Sequence, residues 1–322
     1  MRGSWLRRGA QQVHREHGPS WAGATPKTPS PQPSPGGRGS RAALVLALLG
    51  IAPAFACQPE VRAFVPVRIQ DGFALITAEV DGQAATFLLD TGAQGMLVLP
   101  GAVVRLGLAA DPGRITRMLG TGGARDVPNA LLRSLTLGGA PLPGGSVPVA
   151  ELPGVPATDP PLAGLLGAPL LQAYDVDLDV RSGRLTLLTP VGCAPAGSAI
   201  PLQVLESGDL AAPVRVNGAA LLAIPDTGTR ITLLSNAAAG RLGLDAPVSA
   251  STARGIDGQR VTLRHLRLRT LQAGAEVTAD MPVSVTELQI APADMLLGLD
   301  WFSQRRVWLS YAAGLMVIRP RP

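Results

Sequence analysis

Two copies of the tripeptide Asp-Thr-Gly, at Asp90-Thr91-Gly92 and Asp226-Thr227-Gly228, are the residues of this chain best suited to chemistry. When two carboxyls are brought together they cannot both ionise easily, so one stays protonated as an acid while the other serves as a base. Such a pair can activate a water molecule and protonate a carbonyl oxygen, as the hydrolysis of an amide requires. Asp90 and Asp226 would form such an acid and base pair if the fold brings them together.

The surroundings of the two tripeptides are repeated as well. Residues 80–108 align without a gap on residues 216–244 at a constant spacing of 136, and 12 of the 29 aligned positions are identical. A second pair of anchors follows, in which Leu165-Leu166-Gly167 matches Leu296-Leu297-Gly298 at a spacing of 131. The chain therefore contains an internal duplication, and each half is predicted to form one copy of the same structural unit.

Each unit has the pattern of a hairpin turn followed by a buried strand that ends at the aspartate. Asp81-Gly82 and Asn217-Gly218 are typical of tight turns, because these residue types tolerate positive φ angles. The apolar run after each turn fits a short strand buried on both faces; a buried helix would also fit, but the turn before it and the glycine after it favour the strand. Arg-Leu-Gly-Leu, at 105–108 and 241–244, predicts the end of a short helix in each unit.

These motifs resemble those of the retropepsin and pepsin group of aspartic proteases, here in a two-lobed bacterial form, over residues 66–319. The resemblance implies an all-β fold of two homologous barrel-like lobes with short helices and a cleft between the lobes. It implies that Asp90 and Asp226 face each other across a pseudo-twofold axis and hydrolyse peptide bonds without a cofactor.

The resemblance also gives a supporting role to the other residues of each tripeptide. The two threonines would bond to the opposite loop and hold the aspartate pair in place. The two glycines would let the backbone approach the carboxylates and donate N–H bonds to them. The residues concerned are Thr91, Gly92, Thr227 and Gly228.

One glycine-rich segment in each half is a candidate flap, a hairpin that closes over a bound peptide. The tips are Gly120, Thr121, Gly122 and Gly123 in the first half, and Gly255, Ile256, Asp257 and Gly258 in the second. By resemblance, a substrate would bind beneath them as an extended strand and accept main-chain hydrogen bonds. A surface turn with no part in binding fits each tip equally well.

Three features depart from the family pattern. Pro225 directly precedes the second aspartate, although proline cannot donate to a sheet ladder and normally lies at an edge or a bulge. The tripeptide is followed by Ala93 in the first copy, as in retroviral enzymes, and by Thr229 in the second, as often in pepsin-type enzymes. Neither candidate flap contains a tyrosine, so the flap tyrosine of pepsin has no counterpart.

The first 56 residues have the layout of an export leader. They hold seven of the 28 basic residues and one of the 23 acidic ones, so the rest of the chain is close to neutral. Basic residues precede an apolar stretch at 42–51, and Ala54-Phe55-Ala56 resembles a signal-peptide cleavage site. The net charge of +5 therefore lies in the leader and does not predict nucleic acid as a partner.

Cys57 follows the cleavage site, and two interpretations compete for it. Residues 54–57 loosely resemble a lipobox, which would place a lipid on Cys57 and so anchor the chain to a membrane. Cys57 could instead form a disulfide with Cys193, the other cysteine of the chain, in the proline-rich and glycine-rich linker Pro190–Pro201. The disulfide is slightly favoured because it accounts for both cysteines.

We therefore predict a leader over 1–56, an N-terminal lobe over 57–192 and a C-terminal lobe over 193–322, in one exported, monomeric chain. Its location would be periplasmic or secreted. No cluster of His, Cys and carboxylates has the spacing of a metal site, so neither metal nor cofactor is predicted. The predicted function is an aspartic endopeptidase acting on peptides or proteins. The alternative is a catalytically inactive exported module that binds extended peptides in the same cleft.

Overall fold

The computed structural model describes residues 59–120, 123–244, 248–254 and 260–320, all within one compact unit. The predicted leader and Cys57 lie outside the described residues. Most of the described chain is β-strand. The first half contains the strands β1 (Val61–Pro66), β2 (Arg68–Gln70), β3 (Phe73–Val80), β4 (Gln83–Leu89), β5 (Met96–Val98), β6 (Ala109–Gly120), β7 (Gly123–Leu132), β8 (Leu135–Leu137), β9 (Ala140–Leu142), β10 (Gly145–Pro148), β11 (Leu162–Leu166), β12 (Asp175–Asp179) and β13 (Arg184–Leu188), with the helices α1 (Pro100–Leu106) and α2 (Ala168–Ala173).

The second half repeats this pattern with fewer strands. It contains β14 (Ser198–Pro201), β15 (Gln203–Val204), β16 (Leu210–Val216), β17 (Ala219–Pro225), β18 (Leu233–Ser235), β19 (Ser249–Arg254), β20 (Arg260–Ala273), β21 (Glu276–Thr286), β22 (Met295–Leu297), β23 (Arg306–Ser310) and β24 (Leu315–Arg319), with the helices α3 (Asn236–Arg241) and α4 (Leu299–Phe302). The predicted all-β fold of two lobes with short helices is confirmed.

The local turn chemistry is as the sequence predicts. Asp81 and Asn217 have φ angles of 49° and 51°, and the glycines that follow them are also at positive φ. Each turn therefore reverses the chain tightly and joins β3 to β4 or β16 to β17, which pair antiparallel. Gly107 ends α1 in the left-handed conformation at φ 63°, as expected for a helix stop.

Each lobe is built on a sheet in which the strand leading to the aspartate is central. In the first lobe β11 pairs in parallel with β4 and antiparallel with β5. In the second lobe β22 pairs in the same way with β17 and β18. The repeated Leu-Leu-Gly motif thus forms a strand that is inserted between the two strands flanking each Asp-Thr-Gly loop, which explains why the two motifs recur together.

A six-stranded sheet joins the two lobes, in the order β1, β13, β12, β23, β24, β14. Its centre is the antiparallel pair β12 and β23, one strand from each half. The segment 190–201, predicted as a linker, ends in a strand, because β14 pairs antiparallel with β24 at the edge of this sheet. The lobes are therefore connected by continuous hydrogen bonding as well as by the chain.

The main hydrophobic core runs through both lobes and one face of the six-stranded sheet, and consists largely of Leu, Val and Ala. Trp301 and Trp308 are fully buried at 1% and 0% exposure. Removing such large apolar surfaces from water contributes roughly 1.5–3 kcal/mol per side chain. Among the described residues, no helix is long and apolar enough to cross a membrane.

Candidate active site

Asp90 and Asp226 stand at equivalent places, each directly after the central strand of its lobe. The Asp90 N–H donates to the carbonyl of Leu166 at 3.0 Å, and the Asp226 N–H donates to the carbonyl of Leu297 at 2.9 Å. The inserted strands β11 and β22 therefore fix the positions of both aspartates. Each aspartate is only 8% exposed, and the two carboxyl groups lie within hydrogen-bonding reach of each other.

The two threonines cross between the loops. The Thr91 N–H donates to Thr227 Oγ1, and the Thr227 N–H donates to Thr91 Oγ1, both at 3.0 Å. Each hydroxyl then donates to a carbonyl of the opposite lobe, Thr91 to Pro225 and Thr227 to Leu89, both at 2.8 Å. These four hydrogen bonds are reciprocal about the pseudo-twofold axis and tie the base of one loop to the base of the other.

Each glycine of the tripeptides contacts both carboxyls. The N–H of Gly92 donates to Asp90 Oδ1 at 3.0 Å, and that of Gly228 donates to Asp226 Oδ1 at 2.9 Å. A Cβ at position 92 would lie 2.6 Å from Asp226 Cγ, and one at position 228 would lie 2.3 Å from Asp90 Cγ. No side chain fits in that space, so glycine is required for the two carboxyls to meet.

The environment raises the pKa of both carboxyls, but unequally. Burial raises the pKa of Asp90, and the neighbouring carboxyl of Asp226 raises it further, so it lies well above its ordinary value. Burial also raises the pKa of Asp226, but the hydroxyl of Thr229, the hydrogen bond from Asp90 and the N–H groups of Gly228 and Thr229 oppose this. Both carboxyls are therefore harder to ionise than an isolated aspartate, and Asp226 has one more stabilising donor than Asp90, the hydroxyl of Thr229.

The difference between Ala93 and Thr229 is the source of this asymmetry. The Thr229 hydroxyl donates to Asp226 Oδ2 at 2.7 Å, and its N–H approaches Oδ1 at 3.2 Å. Ala93 has no hydroxyl to offer Asp90. The ionised form of Asp226 is thus better solvated by the protein than the ionised form of Asp90.

Pro225 fits the second loop without disturbing the sheet. The pairing of β17 with β16 ends at Ala223, so Pro225 has a strand partner only on the side of β22. The site uses its carbonyl, which accepts the Thr91 hydroxyl, and does not need an N–H at this position. The departure from the family pattern is therefore compatible with the crossed-threonine arrangement.

An aspartate that the sequence analysis did not single out anchors the second loop. Asp300 accepts the N–H of Thr232 at 3.0 Å and its hydroxyl at 2.8 Å, and that hydroxyl in turn accepts the N–H of Gly298 at 3.1 Å. The Leu-Leu-Gly strand and the second Asp-Thr-Gly loop are thereby joined. In the sequence, Asp300 stands two positions after the second Leu-Leu-Gly motif. The matching position after the first motif is Pro169, so the repeat did not mark this aspartate.

Both candidate flap segments belong to antiparallel hairpins. In the first lobe β6 pairs with β7 up to Gly120 opposite Gly123, while Thr121 and Gly122 lie outside the described residues. In the second lobe β19 pairs with β20 up to residue 254 opposite residue 260, and Gly255, Ile256, Asp257 and Gly258 lie outside the described residues. The contribution of the tips to substrate binding stays a prediction.

Two contacts between the lobes flank the aspartate pair, and the sequence analysis missed both. Gln94 Nε2 donates to Asp209 Oδ2 at 3.2 Å. The Arg230 guanidinium lies over the ring of Phe73, 5.3 Å from its centre. The spacing of 136 that superposes the aspartates also places Gln94 on Arg230 and Phe73 on Asp209, so the two contacts are equivalent, but nothing in the sequence paired the residues that form them.

The comparison with protein families agrees with this geometry. A family model described as aspartyl protease matches the chain twice, over residues 76–170 and 212–301, which together make up more than half of its length. Each match contains one aspartate of the pair and one Leu-Leu-Gly motif. No curated protein matches the chain at a significant level.

Proposed function

Because the chain belongs to the aspartyl protease family, we propose that it is an aspartic endopeptidase in which Asp90 and Asp226 share the roles of acid and base. The observation that carries the proposal is the pair itself. Two buried carboxyls in hydrogen-bonding reach are costly to maintain unless they share a proton. A frame of reciprocal hydrogen bonds holds them together at the place where the two lobes meet.

The unequal pKa values suggest how the pair divides the work. Asp226, the better stabilised carboxylate, would take a proton from a water molecule as that water attacks the peptide carbonyl carbon. Asp90 would donate its proton to the carbonyl oxygen and so neutralise the charge that develops there. When the tetrahedral intermediate collapses, the proton held by Asp226 would pass to the leaving nitrogen and the hydroxyl proton of the intermediate would return to Asp90, which restores the starting state.

The hairpins β6–β7 and β19–β20 support binding of an extended peptide. Both are long antiparallel hairpins, one in each lobe, in the positions predicted for flaps. An extended substrate would add main-chain hydrogen bonds with such elements and place alternate side chains in pockets on either side. Since one chain supplies both aspartates, we propose that the monomer is the active form.

We further propose that the protein is exported to the periplasm or secreted. The layout of residues 1–56 supports this location. Cys193 is disulfide-bonded, and disulfides persist mainly outside the reducing cytosol. Cys57, the other cysteine of the chain, is the proposed partner, and this pairing would exclude the lipid on Cys57 that the sequence also allowed.

Mass spectrometry of a diverse peptide mixture tests the activity. The purified protein, residues 57–322, is incubated with the mixture between acid and neutral pH, beside Asp90→Asn and Asp226→Asn. We expect internal peptide-bond cuts with the native protein and none with either variant. The matched control is Asp280→Asn, because Asp280 is exposed and paired with Arg267, and it should cut normally. A native protein that binds peptides but cuts none would replace the endopeptidase with a peptide-binding module.

A further inference from the structure

The two contacts that flank the aspartate pair differ in charge. On one side, Asp209 accepts hydrogen bonds from Gln94 at 3.2 Å and from Ser207 at 2.8 Å, and the exposed Glu206 lies in the same turn. We call these four residues the acidic corner. On the other side, Arg230 stacks on Phe73, and we call these two residues the basic corner.

The corners lie on opposite sides of the aspartate pair. The spacing of 136 that relates Thr91 to Thr227 also relates Gln94 to Arg230, and Phe73 to Asp209. A pseudo-twofold axis that exchanges the two loops must exchange the two corners too. Gln94 and Arg230 each stand four residues beyond their aspartate, so each backbone position is within about 14 Å of it.

The charge at each corner is not neutralised by a partner. Both donors to Asp209 are neutral side chains. Burial raises the pKa of the nearby Tyr311 to about 12, and the negative charge of Asp209 adds to this effect. Arg230 is exposed, and no ion pair joins it to a carboxylate of the described residues. Its contact with Phe73 leaves the charge in place and fixes its position.

An extended peptide lying across the aspartate pair would meet one corner on each side. Its residues advance by about 3.3 Å each, so the reach of a corner corresponds to roughly the four substrate residues nearest the cleaved bond. A substrate charge that lies opposite a corner can interact with it when the two are within the screening length, which is about 8 Å at physiological ionic strength. A peptide with opposite charges on its two sides would match both corners in one direction only.

We propose that the cleft selects peptides with an acidic residue on one side of the cleaved bond and a basic residue on the other, read by Arg230 and by Asp209 with Glu206. This inference rests on the proposed function, which places the bound peptide across the aspartate pair. It deepens that function by naming the charge pattern of the substrate.

Two peptides of identical composition test the inference. Both have an apolar centre; one carries acidic residues before it and basic residues after it, and the other carries them in reverse order. Because net charge and composition are equal, a preference can come only from the direction of the charges. Binding is measured by fluorescence anisotropy on the Asp226→Asn protein, and cleavage is measured on the native protein.

We expect one order to bind about tenfold more tightly than the other, since each exposed charge pair changes affinity by about 1.5-fold to 5-fold. Arg230→Gln and Asp209→Asn should each reduce the ratio between the affinities of the two peptides. The matched control is Arg215→Gln, which removes the same charge near the end of β16, where Arg215 bonds to the carbonyl of Gly218 in the turn before β17. This control should keep the full preference.

The outcomes separate the two proposals. A clear preference in binding without any cleavage would refute the endopeptidase and support the charge selection. Cleavage of both peptides with affinities equal within about twofold, or no binding of either, would overturn the charge selection. Unchanged preference in Arg230→Gln and Asp209→Asn would also overturn it and leave the corners as contacts that only brace the two lobes.

Discussion

Replacing Thr227 by valine tests whether the crossed threonines hold the two loops together. Valine has nearly the same shape but cannot hydrogen-bond, and Thr227 is completely buried at 0% exposure. The change leaves the Thr91 N–H without its acceptor at 3.0 Å and the Leu89 carbonyl without its donor at 2.8 Å. Each unsatisfied buried group costs about 1–3 kcal/mol, so the free energy of unfolding should fall by about 4 kcal/mol.

For a chain of this size, that loss corresponds to a fall in melting temperature of about 8–16 °C. Cleavage should fall further, by about a hundredfold, because the loss of the bond between the loops shifts one aspartate relative to the other. Thr227→Ser is the matched control. It keeps the hydroxyl and removes one methyl group, which costs about 0.8 kcal/mol.

Calorimetry and a peptide-cleavage assay on the three proteins decide the question. The expected order of stability and of activity is wild type, then Thr227→Ser, then Thr227→Val with a large gap. If Thr227→Val melts within about 2 °C of Thr227→Ser and cleaves equally well, the crossed hydrogen bonds do not hold the pair and the reasoning is wrong.

Three further predictions concern the carboxyl pair. Gly228→Ala should abolish cleavage, because its Cβ would lie 2.3 Å from Asp90 Cγ. The control Gly240→Ala has open space around the added Cβ and should remain active. Equal cleavage by the two variants would contradict the close packing of Gly228 on Asp90. Thr229→Ala removes a hydrogen bond that lowers the pKa of Asp226, so the acid limb of the pH profile of cleavage should move to higher pH, and an unmoved limb would rule out this role. Because the pKa of Asp90 is raised in the folded protein, its contribution to stability is complete below the ordinary pKa of an aspartate and is lost as the pH rises towards the folded pKa. Asp90→Asn should therefore gain stability relative to wild type as the pH rises. Thermal melts across the pH range measure this difference, and a difference that stays constant would refute the prediction.

Much of the site could be predicted from the sequence because the chain is duplicated. The duplication identified the two equivalent loops, and the family resemblance implied that Asp90 meets Asp226 across a pseudo-twofold axis. The crossed bonds of the threonines and the close approach of the glycines were implied by the family resemblance. The turns at Asp81 and Asn217 depend only on local backbone preferences, which are visible in the residue types.

Other features depend on contacts that no local pattern reports. The six-stranded sheet joins β12 to β23 across the two halves, and nothing in either strand specifies a partner so distant in the chain. The segment around β14 contains prolines and glycines typical of a linker, yet its last residues pair with β24. The compatibility of Pro225 could be judged only once β17 was known to lack a second partner at that point.

The asymmetry between Asp90 and Asp226 could not be predicted from the Asp-Thr-Gly motif. Ala93 and Thr229 were visible as a difference between the copies, but its effect required the distance from the Thr229 hydroxyl to Asp226. The acidic and basic corners required knowledge of which hairpin of one lobe meets which loop of the other.

The central claim is that one proton shared by Asp90 and Asp226 drives hydrolysis. The most direct test is the pH dependence of kcat/KM for a peptide that the native protein cleaves, measured beside Asp90→Asn and Asp226→Asn. A shared proton predicts a bell-shaped profile, with activity lost when the pair gains a second proton in acid and lost again when its remaining proton leaves at higher pH. Both variants should be inactive at every pH. A profile with a single limb, or cleavage by either variant at the native rate, would contradict the account.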